Sequence, residues 1–231
     1  MQHQIDHGPA FGTLRVQLGP NEIIQAEAGA MVRQSTTLTM DTRLNAGRKA
    51  GFFAKLKAVF VAFIRKAMGG ESAFVNDFHG PQGGEVVLAP SLSGNIHHHV
   101  LDGQKTLFVQ AGSYLASTGD IDTKVRFGGL KGMISGEGVT ILECTGTGDL
   151  FINSYGGITK VQCNGTYIVD TGHMVAFEGN IKYSLTSAGG GLKGLMMSGE
   201  GLVMKFEGQG TIYIQSRNLP SLAGWVAGLL N

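Results

Sequence analysis

Two hydrophobic periods alternate along this chain. Most of it reads as short apolar-rich runs, at residues 139–143, 150–153, 202–206 and 212–215, rich in Val, Ile, Leu and Phe. Glycine-containing segments such as Gly146-Thr147-Gly148 and Gly208-Gln209-Gly210 bound these runs, a pattern that predicts short β-strands joined by tight turns. Short strands at regular spacing predict an all-β sandwich or barrel. One segment breaks the pattern. Over residues 47–68 the apolar positions advance at 100° per residue. Val59, Phe52, Phe63, Leu56, Ala67, Phe60, Phe53 and Ile64 fall within an arc of about 140°. Lys55, Lys57, Arg65 and Lys66 lie opposite, so this stretch predicts a basic amphipathic helix. A second apolar stretch, 219–231, has Pro220 near its start and Trp225 in its middle. It predicts a short terminal helix, either docked on the body or offering a surface to a partner.

An internal repeat organises the β-rich part. Three segments read alike: Ala28-Gly29-Ala30-Met31-Val32, Ala111-Gly112-Ser113-Tyr114-Leu115 and Thr171-Gly172-His173-Met174-Val175. Each sets a glycine at a bend, then a small or polar residue, a bulky residue and an aliphatic one. Gly29, Gly112 and Gly172 are expected to supply the positive φ of a tight turn. A Gly-Glu landmark follows each copy, carrying Glu71, Glu137 and Glu200, each preceded by a lysine (Lys66, Lys131, Lys193). A third landmark closes each copy: Gly84-Glu85-Val86, Gly148-Asp149-Leu150 and Gly210-Thr211-Ile212. The expectation is three small β-units sharing one body, over about residues 5–90, 91–155 and 156–218. The helical insertion lies in the first unit and a helical tail covers 219–231.

Composition sharpens this reading. Glycine supplies 37 of 231 residues, about twice the usual share, as a body with many sharp corners requires. Charged residues, at 15%, fall below the usual quarter, consistent with little surface helix. The formal charge of +1 conceals a segregation: residues 47–68 hold six of the 18 basic side chains and none of the 17 acidic ones. The seven larger apolar side chains of that helix carry on the order of 14 kcal/mol of gross burial free energy. Three surfaces could hide them: the β-body, a neighbouring subunit, or an anionic membrane interface. Val61 and Ala62 interrupt the polar face and weigh against the membrane. No secretory leader is read at the N-terminus, and no apolar run approaches a spanning length, so a cytoplasmic location is expected.

Candidate chemistry is sparse. Cys144 and Cys163 are expected to be buried thiols, since two cysteines without a second pair make a poor zinc set. On a strand, His97 and His99 would share a face about 7 Å apart and could offer two metal ligands, with Asp102 as the candidate third. His3 and His7 read as a mobile terminus, and His79 and His173 as isolated. Glu71, Glu137 and Glu200 could converge about a pseudo-threefold axis, or remain solvated turn residues. The stretch Gly189-Gly190-Gly191-Leu192-Lys193-Gly194 matches a dinucleotide fingerprint in letters but lacks the helix that must follow it. No Ser/His/Asp, Cys/His or paired-acid set is recognisable, and no cofactor is predicted.

The three glycine signatures, the Gly-Glu landmarks and the long first insertion together resemble a bacterial family related to the fungal mitochondrial-biogenesis proteins named for altered inheritance of mitochondria. The resemblance covers about residues 5–218. It implies a fold similar to the tryptophan RNA-binding attenuation protein, with short double-stranded β-helix units fused in triplicate as a pseudo-trimer. It also implies no established enzymatic activity. The attenuation protein's tryptophan and RNA sites are not carried over, because no matching Lys/Arg pattern is present. The expected function is therefore a non-enzymatic interaction or scaffold protein. It is expected to be homo-oligomeric, with protein partners or peripheral membrane contact through Phe52, Phe53, Lys55, Leu56, Lys57, Phe60, Phe63, Ile64, Arg65 and Lys66. A nucleic-acid-binding module is the competing class, motivated by the clustered basic residues and disfavoured by the net acidic remainder. A small-ligand or metal-binding protein is a third.

Overall fold

Period-two burial builds the first sheet. Strand β2 (Thr13–Leu18) buries Leu14, Val16 and Leu18 and leaves Gln17 in solvent, the signature of a strand with one wet face. It pairs with β1 (Gln2–Asp6) on one side and β7 (Gly84–Leu88) on the other. Strand β4 (Met31–Gln34) completes a four-stranded antiparallel sheet in the order β1-β2-β7-β4. The computed structural model describes residues 1–44, 74–128, 139–187 and 202–229.

Eleven further strands form one large antiparallel sheet. They are β3 (Ile23–Glu27), β5 (Thr39–Leu44), β6 (Phe74–His79), β8 (Ile96–Asp102), β9 (Leu107–Gln110), β10 (Tyr114–Thr118), β11 (Ile121–Gly128), β12 (Val139–Asn153), β13 (Ile158–Asp170), β14 (Met174–Ser187) and β15 (Leu202–Gln215). The main path runs β13-β15-β14-β9-β12-β10-β3-β6-β5, with β8 and β11 also paired to β12. The all-β expectation is met.

The strands are longer than the sequence pattern predicts. Gly146-Thr147-Gly148 and Gly208-Gln209-Gly210, expected as turns, are corners inside single strands of 15 and 14 residues. Strand β12 pairs with β11 as far as Gly146 and with β8 from Thr147 onward, so the corner transfers the strand from one set of partners to another. At Gly208, φ is +133° and a Cβ would sit 2.1 Å from the Asn180 carbonyl oxygen. Only glycine tolerates both that dihedral and that approach. The ladder continues through the corner because both neighbouring strands follow it: Gly208 pairs with Gly165 on one side and Ile181 on the other.

The three signature segments behave alike in one respect. Each opens a strand whose register slips, between Met31 and Arg33 against β7, Tyr114 and Ala116 against β12, and Met174 and Ala176 against β15. These are β-bulges, which bend a strand and re-aim its side chains. Their glycines differ. Gly29 has φ +94° as expected. Gly112 and Gly172 lie instead in short 3-10 turns, Ala111–Ser113 and Thr171–His173, without a left-handed dihedral. A Cβ at Gly172 would press on Asn218 at 3.1 Å, so close approach accounts for glycine there.

Apolar side chains gather in three adjoining clusters. Leu14, Ile24, Phe78, Leu88 and Phe151 belong to the first, Leu107, Tyr114, Leu142, Leu150 and Tyr213 to the second, and Phe177, Met204, Phe206 and Ile212 to the third. Strand β12 joins them by alternation, sending Phe151 into the first and Leu150 and Ile152 into the second. Cys144 and Cys163 are free and buried, as expected.

The predicted helix over 47–68, including Phe52, Phe53, Lys55, Leu56, Lys57, Phe60, Phe63, Ile64, Arg65 and Lys66, lies outside the described residues. So do Glu71, Glu137, Glu200 and the 189–194 glycine segment. The terminal helix is present as α1 (Leu219–Leu229), and Asn218 caps it by accepting a hydrogen bond from the Ser221 N–H at 2.8 Å. None of its side chains is buried, so the helix does not dock on the body as one reading of the sequence has it.

Candidate functional site

The His97-His98-His99 run occupies the middle of β8, and strand alternation sends its members to opposite faces. His97 and His99 share a face, with ring centroids 6.5 Å apart, as the spacing predicts. Their expected acidic partner is displaced. Asp102 is engaged locally, its Oδ1 accepting from the Gln104 and Lys105 N–H groups. The carboxylate that reaches this face is Glu178 of β14. Its Oε2 lies 3.9 Å from His99 Nε2, and its Oε1 accepts a 2.9 Å hydrogen bond from the Tyr213 hydroxyl. Tyr213 lies within 3.4 Å of His99 Nδ1 through its hydroxyl and 5.4 Å from the His97 ring. Lys160 stands 5.3 Å over the tyrosine ring.

Burial sets the charge state of this face. It lowers His97 to about 4, with Lys160 and His99 adding to the shift and Glu178 opposing it. His99 is also lowered, by burial first, against the pull of Glu178. Both imidazoles are therefore neutral near pH 7. Burial and the neighbouring carboxylate raise the Tyr213 hydroxyl well above its ordinary range, so it remains a donor. Neutral rings and a protonated phenol make a hydrogen-bonding patch rather than an activated nucleophile.

The other face of β8 carries His98. Its register partner is Phe151, and Asp149 lies two residues along β12 on the same face. His98 Nε2 and Asp149 Oδ1 are 2.7 Å apart, and the His98 ring stacks on Phe151 at 5.0 Å and 21°. His3 meets both rings edge-on, 4.3 Å from His98 and 5.0 Å from Phe151. It is not a loose terminal residue, because β1 holds it opposite Val16. Ligating atoms of His3, His98 and Asp149 all lie within 4.8 Å of one another. The sequence reading missed His3, Asp149 and Glu178. Asp149 and Glu178 each adjoin a buried apolar run, at Leu150–Ile152 and Met174–Phe177, and a charge at the end of such a run is the signal that marks them.

The two histidines read as isolated have partners. His79 Nε2 is 2.8 Å from Asp41, and His173 lies between the Gln215 carbonyl and the Asn218 amide at 2.7 Å each. Burial pushes the Cys144 thiol up to about 12. Helix α1 exposes several apolar side chains, with Trp225 and Leu229 65% and 66% exposed. Among the described residues no helix is long and apolar enough to cross a membrane.

Comparison with known proteins matches nearly the full length of the chain. The family model described as mitochondrial biogenesis AIM24 matches residues 3–217. An uncharacterised protein of Streptococcus pyogenes serotype M6 is 30% identical over 227 residues, 97% of this chain and 89% of its own length. The crystal structure of a Streptococcus pyogenes protein solved by a structural genomics consortium superposes with a TM-score of 0.80. It has 29% identity and covers 99% of both chains.

Proposed function

The chain belongs to the mitochondrial biogenesis AIM24 family, and from that premise we propose that it is a non-catalytic interaction protein that self-associates through its C-terminal helix. The observation that carries this reading is α1: eleven residues, none charged and none buried. A helix apolar around its whole circumference belongs inside a larger protein body or a bilayer. At about 1.5 Å per residue it spans roughly half the hydrocarbon thickness. A helix lying in the membrane interface needs a charged face, which α1 lacks. Burial against a second copy answers both objections. Leu219, Trp225, Val226 and Leu229 are each worth about 2 kcal/mol when removed from water, enough to offset part of the cost of association.

Light scattering on the full chain tests this. Wild type is expected to be a dimer or larger, and a Trp225→Glu/Leu229→Glu variant a monomer with unchanged β-sheet circular dichroism. A wild-type monomer at every concentration overturns the proposal.

The charge segregation supports a second reading, contact with an anionic bilayer through residues 47–68. Co-sedimentation with vesicles containing phosphatidylglycerol, abolished by Phe52→Glu/Phe60→Glu, is its expected outcome. Failure of the wild type to bind refutes it.

A further inference from the structure

We propose that His3, His98 and Asp149 form a binding site for a divalent transition-metal ion of the zinc class, independent of the self-association described above. Three strands converge there. β8 supplies His98, β12 supplies Asp149 from the same face, and β1 brings His3 across them from the other sheet. Two imidazoles and a carboxylate are a donor set suited to zinc, cobalt or nickel, with a fourth position open to water.

The geometry requires little adjustment. Donors on a tetrahedral zinc ion lie about 3.3 Å apart, given metal–ligand bonds near 2.0–2.1 Å. His98 Nε2 and Asp149 Oδ1 stand at 2.7 Å, so they separate by about 0.6 Å as the ion replaces the proton between them. His3 stands at the exposed rim of the site, and all three ligating atoms already lie within 4.8 Å of one another.

The surroundings hold the ligands in place. Phe151, fully buried, is a floor against which both imidazole rings rest, which sets their planes before an ion arrives. The Asp149 backbone is fixed from the other side, its N–H donating to Thr118 Oγ1 at 3.1 Å. The opposite face of β8 is a poorer site, because the Tyr213 hydroxyl occupies both Glu178 and His99.

Titration of the untagged, metal-free full chain with Co²⁺, read by its visible spectrum, and with Zn²⁺, read by calorimetry, tests the site. One ion per chain is expected. His98→Ala and Asp149→Asn are each expected to weaken binding by at least about tenfold, the lower end of what losing a supporting group alone costs. A His97→Ala/His99→Ala double variant should bind as wild type does, which separates a built site from ordinary affinity of a histidine run. His3→Gln, on an exposed side chain, guards against loss through misfolding and must also weaken binding. No stoichiometric ion in wild type, unchanged affinity in His3→Gln, or equal loss in the His97/His99 variant overturns the assignment.

Discussion

The two faces of β8 carry the same residue type in neighbouring positions and present opposite chemistry. On the face of His97 and His99, burial holds both rings neutral and the Tyr213 hydroxyl already engages Glu178 and His99. On the face of His98, a carboxylate and a second imidazole crowd around one point over an aromatic floor, and one of the three side chains remains exposed. Which strands cross each face makes the difference. β14 and β15 bring Glu178 and Tyr213 to one side, and β1 and β12 bring His3 and Asp149 to the other. A histidine's role here follows from its cross-strand neighbours, and those lie far away in the chain.

The comparison can be broken most severely at its floor. Phe151→Ala removes a fully buried ring from beneath His3 and His98 and is expected to destabilise the fold by about 3–5 kcal/mol, measured by urea unfolding. Zn²⁺ binding should weaken with it, while the His97 and His99 resonances keep their pH response. A smaller loss, about 1–3 kcal/mol, is expected for Glu178→Ala, which strips the acceptor from the mostly buried Tyr213 hydroxyl. Glu178→Gln restores an acceptor and should recover part of that loss. If the two variants unfold at the same urea concentration, the hydrogen bond is not what matters on that face.

The mildest effect is in the pH dependence. Unfolded imidazoles take up protons near pH 6.5, whereas folded His97 resists until about 4 and folded His99 is lowered as well. Over that window the unfolded chain binds more protons, so stability falls as pH drops from about 6.5 toward 4. His97→Gln should flatten this fall, seen in thermal midpoints across the range, whereas His3→Gln, whose lowering burial also drives, tests the other face. A profile unchanged by His97→Gln would show that this ring titrates normally.

Local pattern on its own determined a good deal of this protein. Glycine abundance and short apolar runs predict an all-β body, since both follow from neighbours along the chain. The signature segments around Gly29, Gly112 and Gly172 predict recurrent local geometry, and the same register slip follows each. The alternation of β8 predicts the shared face of His97 and His99, because a strand's period of two is a backbone property. Tertiary structure decided the rest. The corners at Gly146 and Gly208 read as chain turns because composition cannot show whether a ladder continues through a bend. Asp102 looked like the metal partner because it is close in sequence, while the carboxylates that reach the histidines, Glu178 and Asp149, arrive by cross-strand register. Register is settled by burying apolar surface between distant segments, an energy that belongs to the whole sheet and is written in no single stretch of residues.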